Sequence, residues 1–362
     1  MAFFDFFKKK QASTEKANSI SQEKRESFKV SLLQDNVVPI EKRVLGQSPS
    51  CDGLFPHEIL VLSYATTFYV GKNTFQGFWW SKYGISDVQS ILNSLAMRGY
   101  IKIGSCVDAI SIEKQSVIKE ELQKYKLKTT GNKTELIGRL VENVPETKLD
   151  KDFPKRPYAL SETGEKTLKL YEWIPYIHHH SIEDLDIWNL TELIQTPPFK
   201  KYQDKVWEYV SNKGQEYALH GNFGLYRNSR FAMSEFVADT GKDELAFQLL
   251  CEVVAYDLSG LPNNFNINHF SIYAESFFPY ERSVAKLAPG VTARIKKYAQ
   301  RTGLTDEELR CKVVSEIRKL KLVFSLFSAE ECGDIVLAEI HEDGNTLHKI
   351  YNKAKKHFEA FQ

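Results

Sequence analysis

The most regular pattern of apolar and polar positions lies between residues 117 and 143 and predicts two short helices joined by a polar turn. Apolar residues recur every three or four positions in both halves, so each half presents one apolar face. The apolar positions of the first helix are Ile118, Leu122 and Tyr125. Those of the second helix are Leu136, Ile137, Leu140 and Val141. These faces are predicted to pack against each other.

The turn between the two helices carries signals for a helix start and for anion binding. Asn132 precedes Glu135 by three residues, the spacing of a capping box. From Lys114 to Arg139 there are seven Lys or Arg and three Glu, a local charge of +4, whereas the whole chain is only +1. Backbone amides at a helix start surrounded by lysines favour a phosphate site. The alternative is a solvated helical hairpin.

Residues 127–140 resemble the SAP motif, a helix–turn–helix module that tethers many proteins to nucleic acid. The matching positions are Leu127, Gly131, Lys133, Leu136, Arg139 and Leu140. The SAP-like module is predicted to span about residues 112–146. The resemblance covers about a tenth of the chain. This resemblance implies contact with duplex DNA, often AT-rich, although a related fold also binds RNA.

The candidate nucleic-acid-binding residues follow from the turn and from this resemblance. Lys126, Lys128 and Lys133 would contact phosphates, and Arg139 would add charge. The side chains of Thr129 and Thr130 and the amides of Gly131 and Asn132 would donate hydrogen bonds to the same phosphates.

The pattern before and after this module predicts a winged helix-turn-helix with a small β wing. The predicted elements are helices at 57–69 and 75–83, a third helix opened by Asp87, and strands at 100–103 and 158–161. The second strand and Glu162-Thr-Gly-Glu-Lys-Thr-Leu168 resemble the end of bacterial winged-helix domains. The SAP-like module therefore interrupts the wing at residues 110–154, with residues 144–156 as a return linker.

In a winged helix the third helix enters the major groove. Its exposed candidates are Gln89, Ser90, Asn93 and Arg98, of which only Arg98 is positive. A winged helix used for protein contacts is the alternative. The winged-helix-like domain is predicted to comprise residues 51–109 and 155–185.

A single long helix is predicted from Glu165 to about Ile177, followed by His178, His179 and His180. Adjacent side chains on a helix point about 100° apart, so three consecutive histidines do not suit one metal ion. A polar helix end is the preferred interpretation. A diffuse metal-dependent site with Glu183, Asp184 and His220 is the weaker one.

Residues 186–362 are predicted to form an all-α helical domain for partner binding or self-association. One apolar stripe consists of Ala246, Leu249, Leu250, Val253 and Val254. Thr305 with Glu308, and Ser328 with Glu331, are predicted capping boxes. No repeat of fixed period is present, which argues against an α-solenoid.

Composition narrows the class of protein. With 362 residues, 42% apolar and 26% charged, the chain has ample material for two or three folded domains. Its near-zero net charge argues against nucleic-acid binding over the whole surface. The five cysteines are scattered without CxxC spacing, which indicates neither zinc nor a disulfide framework and favours a reducing cytoplasm. Residues 1–50, polar after a short aromatic start, are predicted to be a disordered tether.

The sequence contains no P-loop, dinucleotide-binding glycine motif, GxSxG or kinase signature, so no catalytic residue, cofactor or membrane span is predicted. We expect a mainly α, cytoplasmic, double-stranded-DNA-binding protein, of bacterial or phage origin by its composition and wing signature. The alternatives are a helical protein-interaction scaffold without nucleic-acid affinity, and an enzyme that uses the histidine run.

Overall fold

A computed structural model of the chain describes residues 37–50, 52–71 and 74–360. The fold is mainly helical, with 68% helix and 2% strand, which confirms the predicted helical class. The chain divides into two compact units, with the boundary between His178 and His179. Each unit has its own apolar core, and the units are described separately.

The first unit consists of short helices and one two-stranded sheet. In chain order they are α1 (Ile40–Arg43), α2 (Pro56–Tyr64), α3 (Phe78–Tyr83), α4 (Val88–Met97), β1 (Ile101–Ile103), α5 (Cys106–Ile112), α6 (Gln115–Lys124), α7 (Lys133–Asn143), α8 (Glu146–Asp152), β2 (Tyr158–Leu160), α9 (Glu162–Leu170) and α10 (Trp173–His179). Single 3-10 turns at Val44–Gly46 and Ala65–Thr67 extend α1 and α2.

Residues 1–36 of the predicted tether lie outside the described residues. Residues 37–50 contain the short helix α1 and a 3-10 turn. Helix α1 contains Ile40, which is buried, and the Ile40 amide donates to the Gly84 carbonyl at 3.0 Å. The prediction was wrong for α1 because one apolar residue gives no periodicity. Its hydrogen-bond partner, Gly84, directly follows α3 and lies 44 residues from Ile40 in sequence.

Strands β1 and β2 pair antiparallel, with Ile101 opposite Leu160 and Ile103 opposite Tyr158. Tyr69 adds an isolated antiparallel bridge to Pro157. Residues 104–157, which carry α5 to α8, therefore leave the sheet at the end of β1 and return at the start of β2. At this junction the Gly104 amide donates to the Pro157 carbonyl at 2.8 Å, so the two ends of the segment are joined directly.

One helix prediction and one linker prediction in this unit were wrong. The long helix predicted over residues 165–177 is broken into α9 and α10, with Tyr171 outside helical geometry. Pro175 explains the break, because proline has no amide to donate and is tolerated only in the first turn of a helix. The predicted return linker at 144–156 contains α8, a polar helix whose single buried residue, Leu149, gave no periodic signal.

The second unit consists of helices and 3-10 turns throughout its described residues. The α-helices are α11 (Asn189–Gln195), α12 (Tyr202–Leu219), α13 (Phe223–Asp239), α14 (Asp243–Ser259), α15 (Ala274–Phe277), α16 (Pro289–Thr302), α17 (Asp306–Ile317), α18 (Ala329–Ile340) and α19 (Gly344–Ala360). The predicted stripe at 246–254 is buried in this unit's core. Both predicted capping boxes are confirmed, at the starts of α17 and α18.

Helix α14 lies at the centre of the second unit and packs against α13, α16 and α17. The Phe247 ring stacks on the Tyr298 ring with centroids 4.3 Å apart. Arg227 and Asp257 form a largely buried ion pair at 2.6 Å between α13 and α14. No helix among the described residues is long and apolar enough to cross a membrane.

The packing of α7 leads to a first prediction. Leu140 is fully buried against α6, whereas Val141, which the sequence also assigned to the apolar face, is 39% exposed. We expect Leu140→Ala to destabilise α6 and α7 by about 2–5 kcal/mol, because it leaves a cavity in a small core. Val141→Ala is the matched control and should cost less than about 1 kcal/mol.

Hydrogen exchange of amides in residues 115–143 of the full chain measures both variants. Equal loss of protection in Leu140→Ala and Val141→Ala would contradict the observed orientation of α7.

Candidate nucleic-acid interface

Helices α5 to α8 form one small module with its own apolar core. Its buried residues are Cys106, Ala109, Ile110, Ile118, Leu122, Leu136, Leu140, Val144, Leu149 and Phe153. Two polar side-chain contacts lie at the edge of this core. The Tyr125 hydroxyl donates to Asp152 at 2.7 Å, and this bond raises the pKa of Tyr125 to about 12. The Lys124 ammonium pairs with Glu121 at 2.6 Å.

The segment that joins α6 to α7, residues 125–132, is the turn segment. Its backbone leaves α6 through Lys126, which has a φ of 55°, and the Leu127 amide donates back to the Leu122 carbonyl at 2.8 Å. Leu127 is half-buried against the module core. Gly131 has a φ of 131°, where a side chain would be strained and its Cβ would collide with the Glu135 carboxylate. This explains the glycine of the motif.

The start of α7 is held by the capping box that the sequence predicts. The Asn132 side chain accepts from the Glu135 amide at 3.0 Å, and the Glu135 carboxylate accepts from the Asn132 amide at 3.1 Å. A third bond joins the two side chains at 3.0 Å. The capping box is thus confirmed, and it uses the Asn132 amide internally. That amide was predicted to contact phosphate, and its bond to Glu135 must break for it to do so.

Three carbonyl groups of the turn segment accept hydrogen bonds from side chains of the module. Nη1 of Arg139 donates to the Lys128 carbonyl at 2.6 Å and to the Thr130 carbonyl at 3.1 Å. Nε2 of Gln115 donates to the Gly131 carbonyl at 3.2 Å. These acceptors are therefore satisfied within the protein.

Several amides of the same segment, in contrast, have no hydrogen-bond acceptor within the part of the chain that the structure describes. Six backbone N–H groups donate to no acceptor among the described residues, and we call them the open amides: Lys128, Thr129, Thr130, Gly131, Lys133 and Thr134. The last two belong to the first turn of α7, where a helix leaves its amides without internal partners. The turn thus presents a run of open donors, whereas the carbonyls of Lys128, Thr130 and Gly131 are occupied.

The predicted cations of the module divide into two pairs. Lys126 and Lys128 are exposed, and neither has an ion-pair or hydrogen-bond partner for its ammonium within the described part of the chain. Lys133 is half-buried, and its ammonium donates to the Ser111 carbonyl at 2.6 Å. Arg139 is half-buried and bonded to the turn carbonyls as described. Thr130 is exposed and Thr129 half-buried.

Gln89 and Asn93 on α4 and Arg98 directly after it lie outside the module, and all three are hydrogen-bonded within the protein. Gln89 donates to Asn93 and to the Tyr158 hydroxyl, each at 3.0 Å. Arg98 pairs with Glu58 at 2.9 Å and donates to the Gly53 carbonyl at 2.8 Å. The one positive charge of this helix is therefore compensated.

Gln115 and Ser111, which bond the Gly131 carbonyl and the Lys133 ammonium, were not predicted as residues of the site. Gln115 is 16 residues from Gly131, and the Ser111 carbonyl is 22 residues from Lys133. No local pattern marks either, since both pairings depend on how α5 and α6 pack beside α7.

The histidine run is held by aromatic and acidic neighbours. In the first unit, Nε2 and Nδ1 of His178 lie 2.8 and 2.6 Å from the hydroxyls of Tyr64 and Tyr83. In the second unit, Nε2 of His180 lies 3.7 Å from Asp239. A hydrogen bond from the Tyr209 hydroxyl keeps the pKa of Asp184 below its ordinary value. Across the described residues, no three His, Cys, Asp or Glu side chains are grouped to hold a metal ion.

Comparison with known proteins identifies one family within the chain. The model of the SAP domain matches residues 114–144, which span α6, the turn segment and α7. No curated protein and no solved structure matches the chain. A SAP domain points to nucleic-acid binding in general, and the match confirms the predicted module.

The capping box gives a second prediction. Asn132→Ala removes the acceptor of the Glu135 amide and should destabilise the first turn of α7 by about 1 kcal/mol. Thr134→Ala, two residues further and exposed, is the matched control and should leave α7 unchanged or slightly more stable, since alanine favours helix. Exchange rates of the Leu136 and Ile137 amides report the difference, and equal rates in the two variants would contradict the capping role.

Proposed function

We propose that the chain binds double-stranded DNA through the turn segment of its SAP domain, without catalysing a reaction. The observation that carries this proposal is the division of backbone groups between Lys128 and Gly131, where all four amides are open and three of the four carbonyls are bonded internally. The family match supports nucleic acid as the ligand. The choice of duplex DNA over RNA follows from the resemblance of residues 127–140 to the SAP motif.

Phosphate oxygens accept hydrogen bonds and never donate them, so a phosphate suits a surface of donors from which carbonyls are turned away. The open amides at the start of α7 also lie at the positive end of its helix dipole. The exposed ammonium groups of Lys126 and Lys128 add charge beside them. The Thr129 and Thr130 hydroxyls can donate to the same phosphate oxygens.

The structure changes the expected weight of the individual cations. Lys126 and Lys128 are the primary phosphate contacts in this proposal, because their ammonium groups are exposed and unengaged. Lys133 must give up its bond to the Ser111 carbonyl to reach a phosphate, or share its donors between the two. Arg139 is not a primary phosphate contact in this proposal, because its Nη1 is occupied by two turn carbonyls.

We further propose that α2 to α4 with β1 and β2 form the winged-helix domain predicted from the sequence, with the SAP-containing module in its wing. The antiparallel pairing of β1 with β2 around residues 104–157 supports this arrangement. In this proposal α4 serves mainly protein contacts, because its only cation is paired with Glu58 and Met97 is 84% exposed.

The second unit is proposed to bind a protein partner or a second copy of the chain. Large apolar side chains are exposed on it, among them Leu219 at 85% and Phe199 at 77%. The cytoplasmic location and the bacterial or phage origin remain predictions from composition.

Salt dependence provides the third prediction and the test of the function. Each phosphate that a cation neutralises contributes about −0.9 to the slope of log affinity against log salt on duplex DNA. Lys128→Gln should therefore weaken binding and make the slope less steep by about 0.9. Lys166→Gln is the control, because Lys166 lies on α9 outside the module with its side chain 82% exposed.

Fluorescence anisotropy on duplex DNA, single-stranded DNA and RNA of equal length measures affinity and slope for each variant. Tightest binding to the duplex with a Lys128-specific change in slope supports the proposal. Tightest binding to RNA would replace DNA as the ligand. If Lys126→Gln and Lys128→Gln bind every polynucleotide as tightly as wild type does, the assigned site is refuted.

A further inference from the structure

We infer that Arg139 and Gln115 are positioning residues that orient the peptide groups of the turn segment, and that Arg139 acts on phosphate affinity mainly in this way. This inference rests on the proposed binding of polynucleotide by the SAP domain. It differs from the sequence-based expectation that Arg139 simply adds charge to the interface.

The geometry of the peptide group carries the inference. In a planar trans peptide the carbonyl of one residue and the N–H of the next point in opposite directions. When Arg139 holds the Lys128 carbonyl toward α7, the Thr129 amide must face away from α7. When it holds the Thr130 carbonyl, the Gly131 amide must do the same. Arg139 thereby fixes the outward direction of two open amides, those of Thr129 and Gly131.

Gln115 extends the same arrangement to the end of the turn. Its side-chain amide, at the first residue of α6, donates to the Gly131 carbonyl at 3.2 Å. The next amide, that of Asn132, then points to the Glu135 carboxylate of the capping box. The turn is thus held from α6 on one side and from α7 on the other.

The orientation of these peptide groups affects how well the turn binds a polyanion. A carbonyl oxygen that rotated outward would place a negative dipole beside a phosphate and would withdraw the following N–H from it. Gly131 makes such a rotation easy, because glycine has access to more backbone conformations than any other residue. The bonds from Arg139 and Gln115 restrict that freedom before the ligand arrives, which lowers the ordering cost of binding.

The shape of the Arg139 side chain distinguishes positioning from charge. The planar guanidinium can donate from one nitrogen to two carbonyls while its charge stays near them, whereas a lysine ammonium at the end of a flexible chain lacks this fixed geometry. If Arg139 acted only as a positive charge, lysine would replace it. If it positions the turn, lysine would not.

The experiment compares Arg139→Lys, Arg139→Gln and Gln115→Ala with wild type and Lys128→Gln in the full chain. Affinity for duplex DNA and its salt slope are measured for each. We expect Arg139→Lys to weaken binding about tenfold, which corresponds to the loss of one charge-assisted hydrogen bond, with the wild-type slope retained. Gln115→Ala should weaken binding less, again with an unchanged slope. Lys128→Gln alone should lower the slope.

A second measurement follows the turn without ligand. In nuclear magnetic resonance spectra, Arg139→Lys should shift the Thr129 and Gly131 amide signals while the Leu136 and Leu140 signals, which report the folded core, stay in place. Gln115→Ala keeps the test open if Arg139 variants lose the fold, because Gln115 is exposed.

The outcomes separate the positioning role from the proposed function. Wild-type affinity in Arg139→Lys, or a slope lowered by about 0.9 in Arg139→Gln, would show that Arg139 is an ordinary phosphate contact and overturn the inference. The inference would then fail while the proposed function stands. No polynucleotide binding by wild type would overturn both.

Discussion

A backbone carbonyl that leaves regular structure still needs a hydrogen-bond donor, and in the turn between α6 and α7 this need decides what the surface can bind. Arg139 and Gln115 supply the donors for three of the four carbonyls between Lys128 and Gly131, whereas the four amides of the same stretch stay open. The capping box adds the same bias, because it fixes the start of α7 and leaves the amides of Lys133 and Thr134 open. Packing, capping and side-chain bonding therefore combine to make one face a donor surface.

The core beneath this turn is larger than the matched SAP domain. Residues 114–144 contain two helices, and a chain of that length rarely buries enough apolar surface to fold alone. Here α5 and α8 enlarge the core through Ile110 and Leu149, among others. The two ends of the segment are joined by the bond between Gly104 and Pro157 at the strands. The turn is consequently carried by a supported module, which suits a site that depends on fixed peptide orientation.

What the sequence could predict follows from the range of each interaction. The hairpin of α6 and α7, its glycine and the Asn132–Glu135 box are encoded within a few residues, and the structure confirms them. Helix α8 was missed because it is polar except for Leu149, and α1 because its order depends on Gly84. The roles of Gln115 and Ser111 required the packing of three helices, which no local spacing reveals. Arg139 was predicted as a site residue from its charge, which does not predict its bonds to the turn carbonyls.

The charge of the chain makes this geometry more important than it would be in a basic protein. With a net charge of +1, the chain as a whole attracts a polyanion only weakly over long distances. Many of its cations, such as Arg227, Arg310 and Lys353, are paired with carboxylates. The field of Lys126 and Lys128 is screened within about 8–10 Å at physiological salt. In the proposed function, affinity therefore depends on contacts at hydrogen-bond distance, and the amides of the turn contribute to it when they already face the phosphate.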